Sequence, residues 1–294
     1  MMKYKVISLI IFLLIVSAES SKADDLLVAV LEQPQCKESS DLMVRVLFAK
    51  LNRKWIALDN RNVAEPYDFS KVTWTAALDG RNIGQVKTVD PKTDIAPEWT
   101  YPRDKLLQIA PSIDVPKIMN RSEVFSGWCN EPKFRPVVLV SQSNFKDPAG
   151  WKPFHAPEET RHQLFPEFKK AVGSVKRCPS KHETKAIPYD YQSRDLLLFK
   201  SYQNALGQKL ISIGLDPNVY NCDGPLGSAW KPNWFVVDKR IRYVGSELSL
   251  VDAGDYDNDG KSEVIFWHRG YNEDGYSLFY GDFNSRVDFY WNYH

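Results

Sequence analysis

Residues 251–267 read VDAGDYDNDGKSEVIFW. An apolar strand ends, an acidic turn follows, and a second apolar strand begins. The turn itself, Asp255 to Glu263, crowds four carboxylates into nine residues. Asp255, Asp257 and Asp259 alternate, so in a tight loop they can point to one centre. Calcium takes about six to eight hard oxygen ligands. The three aspartates supply one oxygen each, the Lys261 carbonyl a fourth, and Glu263 two more, with water to complete the shell. Gly260 stands where a sharp turn needs positive φ, and Asn258 tolerates the left-handed region. Without a cation, four carboxylates in one loop repel one another strongly. The loop is not an EF-hand: its twelfth position is Phe266, where an EF-hand places a bidentate glutamate.

The segments beside the loop read as strands. LSLVD (248–252) leads in and EVIFWH (263–268) leads out, followed by YSLFY (276–280) and RVDFYWNYH (286–294). In the last of these, Val287, Phe289, Trp291 and Tyr293 fall on one face, the period-two pattern of a strand with one buried side. Upstream, KLISIGL (209–215), NWFVV (233–237) and IRYVG (241–245) are further strands. Short connections between them predict an antiparallel meander. Ser193 to Leu206 reads as a helix over one face of it, with Ser193 as N-cap, Asp195 in the first turn and Gly207 after the end. A second helix is expected over Glu158–Val172, broken or restarted at Pro166.

The first half is also β-rich. LLVAVL (26–31), LMVRVLFA (42–49), KWIAL (54–58) and PVVLVS (136–141) are apolar runs. VTWTAAL (72–78) and IGQVKTV (83–89) flank Asp79-Gly80-Arg81-Asn82, a hairpin signal. Residues 90–120 read as loop with short strands. The Pro- and Gly-punctuated stretch 145–160 reads as a lobe boundary. The expected fold is α+β and β-rich: a β-rich lobe over 24–150 and an α+β lobe over 151–294, built of antiparallel sheets with one or two packing helices.

The 251–267 segment resembles the calcium-binding loop of integrin-type FG-GAP and VCBS repeats. Those repeats share a small-residue-plus-GD entry, a D-x-D-x-D-G core, an acidic ninth position and an apolar exit strand. The resemblance implies that Asp255, Asp257, Asp259, the Lys261 carbonyl and Glu263 hold calcium. Asn258 stands where the family often has glycine, and Glu263 where it often has aspartate. The likeness covers about 45 residues at the C-terminal end. Many such repeats close into a propeller, and this chain has one such loop, so a complete propeller is not expected.

Residues 1–23 have the layout of a secretory signal: Lys3 and Lys5, the apolar run Val6–Val16, and small residues before Asp24. Val16-Ser17-Ala18 offers a second cleavage point. The apolar run is too short to span a bilayer, and the mature chain is expected to be exported, periplasmic or extracellular, and soluble. Removing residues 1–23 takes Lys3, Lys5, Lys22 and Glu19 from totals of 38 basic and 37 acidic residues, leaving 35 and 36 and a net charge of −1. No basic bias points to nucleic acid or to an anionic membrane. Cys36, Cys129, Cys178 and Cys222 read as two disulfides in an exported chain. Three pairings are open. Cys36–Cys129 with Cys178–Cys222 keeps each bond within one half of the chain.

The sequence holds no G-x-S-x-G elbow, no glycine-rich phosphate loop, and no metal-binding spacing among His155, His162, His182, His268 and His294. His268, near the loop, is a candidate catalytic group, weighed against a histidine at a strand end. Asp190 with Asp195, or Glu158 with Glu159, are candidate carboxylate pairs, whose chemistry depends on spatial separation. Trp151, Trp230 and Trp234 are candidates for stacking on sugars, weighed against filling a β-rich core. Asn120-Arg121-Ser122 is a formal glycosylation sequon. The expected function is that of a non-catalytic exported protein with one structural calcium, acting in binding or envelope structure on a protein or carbohydrate partner. A calcium-dependent hydrolase or carbohydrate-binding protein is the alternative.

Overall fold

The computed structural model describes residues 26–32, 42–58, 69, 72–89, 106–109, 135–181, 185–270 and 273–292. The expected signal segment, Cys36, Cys129, the Asn120 sequon, His182, Tyr293 and His294 lie outside the described residues.

The strands of the N-terminal half are β1 (Leu26–Glu32), β2 (Met43–Leu51), β3 (Lys54–Ala57), β4 (Thr73–Leu78), β5 (Arg81–Val89), β6 (Leu106–Ile109) and β7 (Val137–Val140). They form one antiparallel sheet in the order β1-β7-β4-β5-β6-β2-β3, and β1 also pairs with β2. Two of its turns follow from local chemistry. Asp79 and Gly80 both take positive φ between β4 and β5, as do Asn52 and Arg53 between β2 and β3. Two consecutive left-handed residues match the twist of a tight hairpin.

After the short β8 (Lys152–Pro153) comes the helix α1 (Glu159–Val172). It runs unbroken through Pro166. Pro166 lies on the exposed face, where water can satisfy the carbonyl that proline leaves without a donor. Buried Leu164 and Phe168 hold the opposite face to the protein. The strands β9 (Val175–Arg177) and β10 (Ile187–Tyr189) pair with each other. Cys178 and Cys222 form a disulfide, as expected. A bond closing a loop of this length contributes roughly 2–4 kcal/mol.

The expected helix 193–206 is overturned. Ser193–Asp195 make a single 3-10 turn, and Leu196–Gln203 then form the strand β11. The start signals are real but are spent on one turn: the Gln192 N–H donates to the Asp195 carboxylate at 2.7 Å. Gly207, at φ 81°, lies in the connection to the next strand rather than after a helix. Leu196–Gln203 instead pair with β12 (Lys209–Leu215), with a register shift between Leu198 and Lys200. A partner strand that satisfies the whole backbone overrides a weak helical preference.

The strands β12, β13 (Asn233–Val237) and β14 (Ile241–Ser246) complete a five-stranded antiparallel sheet, β14-β13-β12-β11-β8. Its one face meets α1, where Phe168, Leu196, Ile213 and Phe235 are buried together. The last four strands, β15 (Leu248–Gly254), β16 (Glu263–Arg269), β17 (Glu273–Tyr280) and β18 (Ser285–Asn292), form the expected antiparallel meander.

That meander is covered by sheets on both faces, not by a helix. Val251, Ile265, Trp267, Leu278 and Trp291 pack with Val28, Val30, Phe48 and Trp55 of the N-terminal sheet. Leu250, Val264, Phe266 and Phe279 pack with Leu210, Trp234 and Val236 of the five-stranded sheet. Successive residues of β16 thus serve opposite cores. This is why VIFW (264–267) is apolar without alternation: a strand buried on both faces has no solvent side to spend polar residues on. The result is an α+β, β-rich stack of antiparallel sheets with one α-helix among the described residues, and not a complete propeller.

Candidate metal centre

The acidic loop connects β15 to β16 in the central sheet. Its entry is fixed by a close approach: a Cβ on Gly254 would lie 2.4 Å from the Phe145 ring, so only glycine fits. Phe145 in turn stacks on Tyr256 at 5.8 Å. Asn258 and Gly260 take φ of 56° and 87°, which folds the loop back on itself. Asp255 then accepts the N–H groups of Asp259 at 3.0 Å and Gly260 at 2.9 Å. Glu263 accepts the Tyr256 N–H at 2.8 Å through one oxygen.

Asp255, Asp257 and Glu263 each present an oxygen, and these atoms lie within 4.8 Å of one another. Glu263 is 1% exposed and Asp255 5%. Such a set of hard, buried carboxylates can hold a metal ion. Of the five residues singled out in the sequence, these three converge. Asp259 is exposed, and its carboxylate accepts the Lys261 N–H at 2.9 Å. The Lys261 side chain points away to Asp282, at 3.6 Å.

The loop is fastened to the N-terminal half of the chain. The Lys50 ammonium, from β2, sits on the Asp257 carboxylate. The Gln142 side chain donates to the Tyr256 carbonyl at 2.8 Å and accepts from Asn258. Ser262 donates to Asp147, whose carboxylate also accepts the N–H groups of Ala149 at 3.1 Å and Trp151 at 3.3 Å. Lys50 was outside any sequence reading: it lies 207 residues from Asp257, and no local pattern links them.

Burial, with the neighbouring Asp257, Asp259 and Asp255 charges, pushes the Glu263 carboxyl up to about 9. Burial likewise raises Asp255. The folded Glu263 therefore holds its proton more tightly than the unfolded one. Without a cation, the fold loses stability as pH rises from the ordinary carboxylate range towards 9. A cation must displace that proton, so its affinity should rise with pH. Between pH 6 and 8 the apparent Kd for a divalent cation is expected to fall by about tenfold per pH unit. Calorimetry in buffers of different ionisation enthalpy should show about one proton released per ion. Heats that do not depend on the buffer would mean that Glu263 is already ionised.

His268 is half-buried against Tyr290, with ring centroids 5.0 Å apart, and its Nε2 lies 3.6 Å from Glu273. Burial lowers its pKa. The Asp195 carboxylate caps its own turn, and Glu158 is paired with Arg161 on α1. Trp230 and Trp234 are 3% and 1% exposed, so both fill cores rather than offering stacking faces. Trp151 alone of the three is half-buried. No protein-family model, curated protein or solved structure matches the chain.

Proposed function

We propose that this is an exported, non-catalytic protein of the binding or envelope-associated kind, whose 255–263 loop binds one structural calcium ion. The observation that carries the reading is the convergence of Asp255, Asp257 and Glu263, with ligand oxygens within 4.8 Å and Glu263 almost fully buried. Buried carboxylates this close demand either protons or a cation. The resemblance to FG-GAP and VCBS loops names calcium, with Asp259 and the Lys261 carbonyl completing the shell. Because Gln142 and Asp147 hold the loop through Tyr256, Asn258 and Ser262, an ion there tightens the junction between the two halves of the chain. The Cys178–Cys222 disulfide is compatible with export. No helix among the described residues is long and apolar enough to cross a membrane.

Calcium that binds only the folded state stabilises it by RT ln(1 + [L]/Kd), about 2.7 kcal/mol at a hundredfold excess over Kd. The melting temperature should therefore climb with calcium and fall in chelator. Magnesium should substitute poorly, since it demands a smaller octahedral shell. Identical melting in chelator and in millimolar calcium, with no calorimetric binding heat, would overturn the reading.

A further inference from the structure

A second candidate site lies where three sheets meet. A cleft of about 800 Å³ opens between the β4–β5 turn, Arg135 at the entry to β7, the segment 150–153, Tyr202 of β11 and the strand β15. Its size falls within the usual range of small-molecule sites, about 300–1,000 Å³, and clefts between structural units are their common location.

The lining is chemically two-sided. One wall is aromatic, formed by the half-buried Trp151 and Tyr202. The Trp151 backbone is held by the Asp147 carboxylate, and its ring packs edge-on against Phe283 at 6.2 Å. Tyr202 is backed by Trp234 at 6.3 Å. Both rings are therefore fixed before any ligand arrives. The other wall carries charge. Arg135 is engaged inside the cleft, at 2.9 Å from Asp79 and 3.0 Å from Asp252. Arg81 and Lys152 are exposed lining residues with no ion-pair partner among the described residues. Asp79, 45% exposed at its side chain, adds a carboxylate acceptor beside them.

We propose that this cleft binds a short acidic saccharide. An aromatic wall takes the C–H face of a sugar ring. Arg81 and Lys152 take its carboxylate or sulfate by charge-assisted hydrogen bonds. Asp79 accepts from ring hydroxyls, which a simple phosphate or fatty acid does not supply. A neutral sugar leaves the two cations without partners, and a polyphosphate leaves the aromatic wall bare. The site uses none of the loop carboxylates, so the proposal does not depend on which ion the loop holds.

The test is calorimetric titration of the full chain, in millimolar calcium, with a galacturonic acid trisaccharide, a sulfated disaccharide and maltotriose. At least one acidic probe is expected to bind tenfold or more tightly than maltotriose. Which of the two binds better identifies the anionic group. The double variant Arg81→Ala/Lys152→Ala changes only exposed side chains. It should melt like the wild type and lose at least tenfold in affinity. Trp151→Phe, which keeps a ring in the wall, should abolish the ligand-induced change in total tryptophan fluorescence seen in the wild type while retaining measurable binding. The proposal is overturned if none of the probes binds, if maltotriose binds as well as the acids, or if the double variant binds an acid as tightly as the wild type. Failure of calcium binding with intact saccharide binding would refute the loop reading and leave this one standing.

Discussion

Replacing Glu32 with alanine is expected to destabilise the fold by about 3–5 kcal/mol, the usual cost of stripping one partner from a buried ion pair. Glu32 ends β1 and is 1% exposed, and Arg45 on β2 is 4% exposed. The Arg45 Nε donates to Glu32 at 2.8 Å, and a second guanidinium nitrogen lies at 2.6 Å. The Tyr276 hydroxyl, from the central sheet, donates to the other Glu32 oxygen at 2.6 Å. Burial and the adjacent Glu32 hold that hydroxyl firmly protonated. The Arg45 guanidinium lies 4.2 Å from the centre of the Trp291 ring. The network thus spans the interface between the N-terminal and central sheets. Alanine at 32 leaves a buried guanidinium without its carboxylate and a buried hydroxyl without its acceptor. The double variant Glu32→Leu/Arg45→Met, which removes both charges, should cost much less, because no charge is then left buried and unpaired. Urea unfolding at unchanged slope measures both. A loss under about 1 kcal/mol for Glu32→Ala would show that the network is solvated in solution and not the buried pair described above.

Asp257→Ala is expected to abolish the calcium dependence of melting. It removes one of three converging ligands and leaves a site with too few hard oxygens. It also removes the carboxylate that holds the Lys50 ammonium. Lys50→Met provides the opposite perturbation in the same experiment. An ion entering the loop must compete with that ammonium for Asp257, so removing the charge while keeping the stem should tighten calcium binding by roughly tenfold, about 1.4 kcal/mol. Lys50 also lies 5.7 Å from the Trp55 ring centre, which gives the displaced ammonium a second place to rest. If Asp257→Ala retains the full calcium response, the ion is not in this loop. If Lys50→Met leaves the Kd unchanged, the ion and the ammonium do not compete.

Much of this fold is legible in local sequence. The turn at Asp79-Gly80 demands positive φ and gives it. The apolar runs of β12, β13 and β15–β18 become strands at nearly the expected bounds. The acidic loop is legible in the same way, because the alternating carboxylates, a left-handed asparagine and a turn glycine all lie within nine residues, and Asp255, Asp257 and Glu263 converge. Each of these signals acts through the chain's own neighbours.

What only the tertiary structure decided involves partners far along the chain. Ser193 and Asp195 carry helical start signals, yet pairing with β12 makes the residues that follow them, 196–203, a strand. The VIFW run is apolar because two different sheets bury its two faces, a fact that periodicity alone does not contain. Trp230 and Trp234 are core while Trp151 lines a cleft, and nothing in their local sequence separates them. Lys50 meets Asp257, and Glu32 meets Tyr276, across 207 and 244 residues. Turn conformations and the spacing of carboxylates within one loop are set by short-range sterics and so can be read residue by residue. Burial, ion pairing and the shape of a cleft arise from contacts between distant segments, and exist only once the sheets have stacked.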